Sequence, residues 1–136
     1  MYTSVSTRSA SAYKRVAVDT GVQSADPHQL VGMLYDGLLQ NLHQARGAMA
    51  RQDVAAKGTA LIKAIRILDE GLKAGLNPVE GGELAQNLRA LYDYSMQRLT
   101  QANLRNDEAA VAEIVALIEP LAQSWKDIRG QVVKGA

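Results

Sequence analysis

The sequence contains no cysteine and no phenylalanine, and it has a single tryptophan. The lack of cysteine excludes disulfide bonds, thiolate metal sites and cysteine nucleophiles. The lack of phenylalanine means that any core must be built from aliphatic side chains. The five tyrosines then become candidates for binding surfaces, because tyrosine combines an apolar ring with a polar hydroxyl group.

An excess of charge and long apolar runs are also missing. The formal net charge is only +1 over 136 residues, so bulk charge does not point to nucleic acid or to an anionic membrane. No apolar run approaches the roughly 20 residues that span a bilayer, so we expect no direct membrane insertion.

Residues 1–18 are rich in serine and contain Arg8, Lys14 and Arg15 but no acidic residue. Because they lack an apolar h-region, we interpret them as a polar N-terminus rather than a secretory signal.

Hydrophobic periodicity divides the chain into a loose start and a helical part. Residues 1–23 show no sustained period and are predicted to form a flexible N-terminal arm. Residues 24–136 are predicted to form one bundle, with helices at about 26–51, 53–74, 83–103 and 107–130. Because the links are short, sequential helices should be antiparallel neighbours. The expected fold is all-α, an antiparallel up-down four-helix bundle with a mobile N-terminal arm.

Capping residues mark the predicted helix starts. Asp26 can cap the first helix, where Gln29 completes a capping box, and Asp53 can cap the second. Asn106 is predicted to cap the fourth helix. Pro120 falls inside that helix, where it removes a backbone hydrogen bond and should produce a kink.

Apolar residues repeat every three or four positions along each helix, which predicts one buried face per helix. The predicted buried faces comprise Val31, Leu34, Leu38, Leu42, Ala45 and Met49; Val54, Gly58, Leu61, Ile65, Leu68 and Leu72; Leu84, Leu88, Leu91, Ser95, Leu99 and Ala102; and Val111, Ile114, Ile118, Leu121, Trp125 and Ile128. Leu39 and Ile67 widen the apolar stripes of the first two helices and could line a groove.

Catalytic and metal-binding patterns are absent from the sequence. Neither histidine belongs to a Glu-x-x-His metal motif, and Gly81-Gly82 is not followed by Gly-Lys-Ser/Thr. We therefore expect a non-enzyme without cofactor or metal. One alternative is histidine phosphotransfer, because the segment His43-Gln44-Ala45-Arg46-Gly47 resembles part of that motif. A bundle that binds an unknown partner is a further alternative.

Two tyrosines in the third helix cannot share one environment. Tyr92 and Tyr94 are two positions apart, so their side chains point about 200° apart around the helix. Tyr92 lies on the same face as Leu88 and Ser95, and we expect it to point inward. Tyr94 is a neighbour of Arg98 and should border solvent, where tyrosine is well suited to binding a partner.

Several stretches together resemble the flagellin-specific export chaperone family, FliS. They are the segment from Ser24 to Gly37, with Met33-Leu34-Tyr35-Asp36-Gly37 at its end; Leu61-Ile62-Lys63-Ala64 and Ile67-Leu68-Asp69-Glu70-Gly71-Leu72; Leu91-Tyr92-Asp93-Tyr94; and Arg98-Leu99, Gln101-Ala102-Asn103, Asn106-Asp107 and Trp125. The similarity runs in order over about residues 12–128. The fold that it implies is a four-helix bundle.

The resemblance also implies a function. The family binds the disordered C-terminal segment of flagellin in the cytosol, prevents its premature polymerisation and delivers it to an export-gate membrane protein of the flagellar type III apparatus. A regulatory protein that competes with flagellin is a further implied partner, and a homodimer without client is left open. By motif position, the flagellin-binding residues are Tyr35, Leu91, Tyr92, Tyr94, Leu99 and Asn103. The arm residues expected to lie over the groove are Tyr13, Val16 and Val18.

Overall fold

The computed structural model describes the backbone of residues 26–135 and the side chains of residues 26–128. The part described consists of four helices: α1 (Pro27–Ala50), α2 (Val54–Arg66), α3 (Pro78–Arg105) and α4 (Glu108–Gly135). A π-helical segment, Ile67–Lys73, directly continues α2. The predicted all-α four-helix fold is therefore confirmed. The predicted arm, with Tyr13, Val16 and Val18, lies outside the described residues.

Side-chain contacts show that neighbouring helices run antiparallel. Arg46, near the end of α1, bonds to Glu108 at the start of α4, whereas Trp125 of α4 reaches the first turn of α1. Lys57, in the first turn of α2, bonds to the carbonyl oxygen of Asn103 near the end of α3. Among the described residues, α1 packs against α2 and α4, and α3 packs against the same two helices. Helices α1 and α3 therefore face each other diagonally across the core.

Local capping chemistry fixes where the first two helices begin. The Asp26 carboxylate accepts a hydrogen bond from the backbone nitrogen of Gln29 at 2.8 Å, and the Gln29 side chain accepts one from the backbone nitrogen of Asp26 at 3.0 Å. Asp53 caps α2 by accepting a hydrogen bond from the nitrogen of Ala56 at 3.0 Å. Both predicted caps are confirmed, and together they satisfy helix donors that would otherwise lack partners.

The predicted cap of α4 is wrong by one residue. Asn106 adopts a left-handed conformation, with φ of 54° and ψ of 46°, and ends α3. Asp107 caps α4 instead, because its carboxylate accepts a hydrogen bond from the nitrogen of Ala110 at 3.2 Å. Asparagine tolerates the left-handed region better than most residues, so it suits the end of a helix as well as the start of one.

Helix α3 begins earlier than the sequence predicts and breaks near its start. Asn77 caps it by accepting hydrogen bonds from the nitrogens of Val79 and Glu80, both at 3.1 Å. Gly82 interrupts the helix with φ of 54° and ψ of −132°, a conformation open to glycine alone. The predicted start near residue 83 is thus the start of the main part of α3, beyond this break.

A cluster of buried side chains from all four helices forms the core. Its largest fully buried aliphatic members are Leu34, Leu38, Leu42, Leu61, Leu68, Leu99, Val111, Ile114 and Ile118. The core is not purely aliphatic as predicted, because Tyr35 and Tyr92 also belong to it. Three residues predicted to be buried are instead exposed: Val54, Leu84 and Ile128. Val54 is the first residue of α2, and Leu84 and Ile128 each lie within about two turns of a helix end. Helix α4 continues without interruption through Pro120, which is exposed.

Candidate binding surface

Helices α3 and α4 share an exposed apolar surface, which we call the α3–α4 strip. Its members are the exposed residues Leu84 and Tyr94 of α3 and Leu117 and Ile128 of α4, together with the partly buried Leu91 of α3. The exposed fractions are 66% for Leu84, 45% for Ile128, 42% for Tyr94 and 37% for Leu117. Leu84 and Leu91 are seven positions apart and Leu117 and Ile128 are eleven apart, so each pair returns to nearly the same side of its helix, whereas Tyr94 lies about 60° around α3 from Leu91. Single exposed apolar residues are common, but several on one groove indicate a site for a partner.

Hydrogen bonds between α3 and α4 show that the two helices adjoin beside Tyr94. The Glu113 side chain of α4 accepts a hydrogen bond from the Tyr94 hydroxyl at 2.5 Å through Oε2. Through Oε1 it accepts one from Nε of Arg98 at 2.9 Å. Leu117 is one turn beyond Glu113, and Leu91 is one turn before Tyr94 and Ser95, so the apolar strip begins beside this polar cluster.

Glu113, Tyr94 and Arg98, which form this polar cluster, shift one another's pKa values. The hydrogen bonds from Tyr94 and then Arg98 lower the pKa of the Glu113 carboxyl. The same contact with Glu113 raises the pKa of the Tyr94 phenol and that of the Arg98 guanidinium. The three pKa shifts have one cause, because each hydrogen bond is strongest when Glu113 is ionised and its partner keeps its proton.

A second group of aromatic residues lies inside the bundle. The hydroxyl groups of Tyr35 and Tyr92 are 2.6 Å apart and join α1 to α3 across the core. The ring of Trp125 stacks on His28 with a centroid distance of 4.4 Å and lies 6.5 Å from the ring of Tyr35. Its indole nitrogen donates to the carbonyl oxygen of His28 at 2.9 Å. Burial raises the pKa of the Tyr35 phenol, so its hydroxyl keeps its proton.

The residues predicted to bind flagellin do not form one surface. Tyr35, Tyr92 and Leu99 are 4%, 1% and 0% exposed and belong to the core. Tyr94 and Leu91 lie on the α3–α4 strip. Asn103 is partly exposed near the other end of α3, on the side that faces α2. The opposite orientations expected for Tyr92 and Tyr94 are confirmed.

Sequence reasoning missed four residues at this surface. It did not consider Leu117 or Glu113, and it assigned Leu84 and Ile128 to the buried faces of α3 and α4. The helical period places Leu117 and Ile128 at the edge of that face, but it does not reveal where the neighbouring helix ends. Glu113 is one of many charged residues on its helix, and only its contacts across the groove distinguish it.

Leu39 and Ile67, which the sequence suggested as groove residues, are only partly buried and pack against the core. The Ile67 side chain lies close to Gly37, so it fills the space between α1 and α2. Neither side chain is among the exposed large apolar residues, so the exposed apolar surface lies elsewhere.

The alternative of histidine phosphotransfer finds little support in the geometry. His43 is exposed on α1. Arg46, which would steady a phosphoryl group, instead bonds to Glu108 through Nε at 2.6 Å. Among residues 26–135, no group of three or more metal-ligating side chains is placed to hold a metal ion. In the same part of the chain, no helix has the length and apolar character required to cross a membrane.

Comparison with known proteins shows which family the chain belongs to. The family model described as "Flagellar protein FliS" matches residues 9–132. The chain belongs to the FliS family. It is 53% identical over 117 residues to the flagellar secretion chaperone FliS of Salmonella typhimurium, with 86% of this chain and 87% of the relative covered.

Two further relatives have similar coverage. The chain is 46% identical over 116 residues to the flagellar secretion chaperone FliS of Escherichia coli, with 85% of each chain covered. It is 41% identical over 116 residues to the flagellar secretion chaperone FliSB of Pseudomonas aeruginosa, with 85% of this chain and 91% of the relative covered. The protein is therefore a flagellar export chaperone, and it is not an enzyme. Both predictions are confirmed at this level.

Proposed function

We propose that the client of this FliS protein is the disordered C-terminal segment of flagellin, and that the α3–α4 strip binds part of it. The observation that carries the proposal is the exposed apolar side chains of the strip in a member of a flagellar chaperone family. Leu91 and Tyr94 make direct contacts with the client. Tyr35, Tyr92 and Leu99 act from the core, where they keep α1 and α3 in place beneath this surface.

The dimensions of the strip suit a helical segment of the client. Leu84 and Tyr94 are ten positions apart on α3, which corresponds to about 15 Å of helix. A client helix with apolar residues at every third or fourth position would cover this length in about three turns. Because the client folds as it binds, ordering uses up part of the interaction free energy. A surface that includes partly ordered aromatic side chains reduces that cost.

The proposal extends to the export pathway. In the cytoplasm, the bound chaperone covers the segment of flagellin that drives polymerisation and hands the client to an export-gate membrane protein. Without client, exposed apolar side chains on the strip would favour an arm over the groove, formed by Tyr13, Val16 and Val18, or a homodimer. A regulatory protein that competes with flagellin would use the same surface. Asn103, at the far end of α3, would contact a more distant part of a long client.

Titration calorimetry with a C-terminal flagellin segment tests this proposal. We expect stoichiometric binding with a negative heat-capacity change, because apolar surface is buried. Leu117→Ala should weaken the affinity about five- to tenfold, which corresponds to the loss of a partly buried leucine contact. Ile62→Ala is the matched control, because Ile62 is 56% exposed on α2, diagonally opposite α4. Equal loss of affinity in both variants would contradict the choice of the α3–α4 strip, and no binding by the native protein would contradict flagellin as the client.

A further inference from the structure

A single carboxylate holds two side chains of the opposite helix at the edge of the α3–α4 strip. Glu113 projects from α4 and accepts hydrogen bonds from Tyr94 at 2.5 Å and from Arg98 at 2.9 Å. The two partners are four residues apart on α3, so they stack one turn above the other. Each carboxylate oxygen bonds to one partner, and the side chains of Glu113 and Arg98 keep 38% and 30% of their surface exposed. The cluster is thus accessible to a partner as well as ordered.

From this geometry we infer that Glu113 is a positioning residue for client recognition, which acts by holding Tyr94 and Arg98 in the orientation that the client meets. The inference rests on the proposed function, since it concerns the affinity for the same client. Glu113 acts through Tyr94, whose ring is 42% exposed, and its own contact with the client is not required. No sequence motif marks this residue.

The physical basis is the cost of ordering exposed side chains. Tyrosine and arginine on a helix surface normally sample several rotamers, and binding a partner restricts them. The Tyr94 ring has its hydroxyl end fixed by Glu113, so this restriction is already present before the client arrives. Arg98 is fixed in the same way through Nε, while its remaining guanidinium donors can still bond to backbone carbonyls or carboxylates of a client.

Glutamine cannot reproduce this arrangement, although it has almost the same shape. A carboxylate offers two acceptor oxygens, and both are used here. The amide of glutamine has one acceptor oxygen, which can serve Arg98, and its nitrogen can only donate to the Tyr94 hydroxyl oxygen, so the bond to Tyr94 changes direction. Glu113→Gln therefore loses both charge-assisted hydrogen bonds, including the one in which the Tyr94 hydroxyl donates to a carboxylate. The pKa shifts of the three groups are consistent with an ionised Glu113 bound to two protonated partners.

The structure provides a close control on the same helix. Glu108 of α4 also accepts a hydrogen bond from an arginine of a neighbouring helix, Arg46 of α1, at 2.6 Å. Its side chain is 48% exposed, against 38% for Glu113. This ion pair joins α4 to α1 rather than to α3, and no tyrosine takes part in it. Glu108→Gln therefore removes a comparable surface ion pair without touching the strip.

The first experiment needs no client. Tyrosine labelled with ¹³C at Cζ gives ring signals whose titration reports the phenol pKa, and Tyr94→Phe assigns the signal of Tyr94. In Glu113→Gln, the pKa of Tyr94 should fall towards its ordinary value, because the hydrogen bond to Glu113 is the largest cause of its elevation. In Glu108→Gln it should stay as in the native protein. An unchanged Tyr94 titration in Glu113→Gln would overturn the inference whether or not flagellin is the client.

The second experiment measures affinity for the C-terminal flagellin segment. Glu113→Gln should weaken binding about two- to tenfold, as expected when one or two side chains must be ordered on binding. Glu108→Gln should leave the affinity unchanged. The double variant Tyr94→Phe/Glu113→Gln should lose less than the product of the two single losses, because Glu113 acts through the tyrosine hydroxyl.

Two results of the second experiment would refute the inference. The first is a double variant whose loss of affinity equals the product of the losses at Tyr94 and Glu113, because the two residues would then act independently. The other is a fall in melting temperature for Glu113→Gln with unchanged affinity, which would make Glu113 a structural residue only. If the native protein does not bind the segment, the proposed function fails, and the Tyr94 titration still decides whether Glu113 orders the tyrosine.

Discussion

Replacement of Gly71 by alanine should destabilise the bundle, although alanine is the better helix former. Gly71 is buried in the π-helical segment after α2, where it faces Leu34 of α1. A Cβ atom at this position would lie 2.9 Å from Cδ2 and 3.1 Å from Cδ1 of Leu34. Leu34 is fully buried, so its side chain has little room to move away. The close approach of α1 and α2 thus depends on the missing side chain.

The magnitude follows from two opposing contributions. An added methyl group in a well-packed core costs about 1–3 kcal/mol, because neighbouring side chains leave their preferred positions. Alanine recovers about 0.5–1 kcal/mol through its smaller loss of backbone entropy. We expect a net loss of about 1–2 kcal/mol for Gly71→Ala, which lowers the melting temperature by about 4–8 °C.

Gly58 offers a matched control within α2. No heavy atom would lie within 4 Å of a Cβ at Gly58. Gly58→Ala should therefore stabilise the protein by about 0.5–1 kcal/mol, and the two glycine variants should shift the melting temperature in opposite directions.

A double-mutant cycle identifies the contact responsible. Leu34→Ala alone should cost about 2–5 kcal/mol because it leaves a cavity. The double variant Leu34→Ala/Gly71→Ala should be more stable than the sum of the single losses predicts, because the new methyl group then has space. Thermal and urea unfolding measure all four proteins. Simple additivity, or a Gly71→Ala variant as stable as Gly58→Ala, would refute the reasoning.

Two further predictions concern hydrogen bonds between helices. Tyr92→Phe leaves the buried Tyr35 hydroxyl without its partner at 2.6 Å, so urea unfolding should show a loss of about 1–3 kcal/mol, and adding Tyr35→Phe should recover part of it. If the double variant instead lost the sum of the two single losses, the importance of this hydrogen bond would be contradicted. Because the hydrogen bonds of Glu113 lower its pKa in the folded state, its contribution to stability is present above the ordinary glutamate pKa of about 4.3 and is lost as the pH falls through the lower folded-state value. The difference in melting temperature between the native protein and Glu113→Gln should therefore be visible at pH 7 and vanish in strong acid, and a constant difference would contradict the pKa shift.

Features set by neighbours in the chain could be predicted from the sequence. The capping box of Asp26 and Gln29 and the cap at Asp53 follow from residues three positions apart. The opposite orientations of Tyr92 and Tyr94 follow from the helical period alone. The prediction that Asn106 caps α4 was wrong, because asparagine and aspartate can both cap a helix. In the structure, Asn106 adopts the left-handed conformation that ends α3, and Asp107 caps α4. Residue type alone allowed either residue to cap α4, and the backbone conformation of the turn decided between them.

The sequence by itself determined that this protein has four amphipathic helices, that most of its core is aliphatic, and that it resembles FliS, because these properties depend on residue type and spacing along one chain. The tertiary structure alone decided which apolar residues remain exposed, so Leu84 and Ile128 lie on a surface although their period resembles that of core residues. It also decided that Glu113 meets Tyr94 and that Gly71 meets Leu34. Such pairings depend on the rotation and closeness of two packed helices, and a periodic pattern on either helix does not specify them.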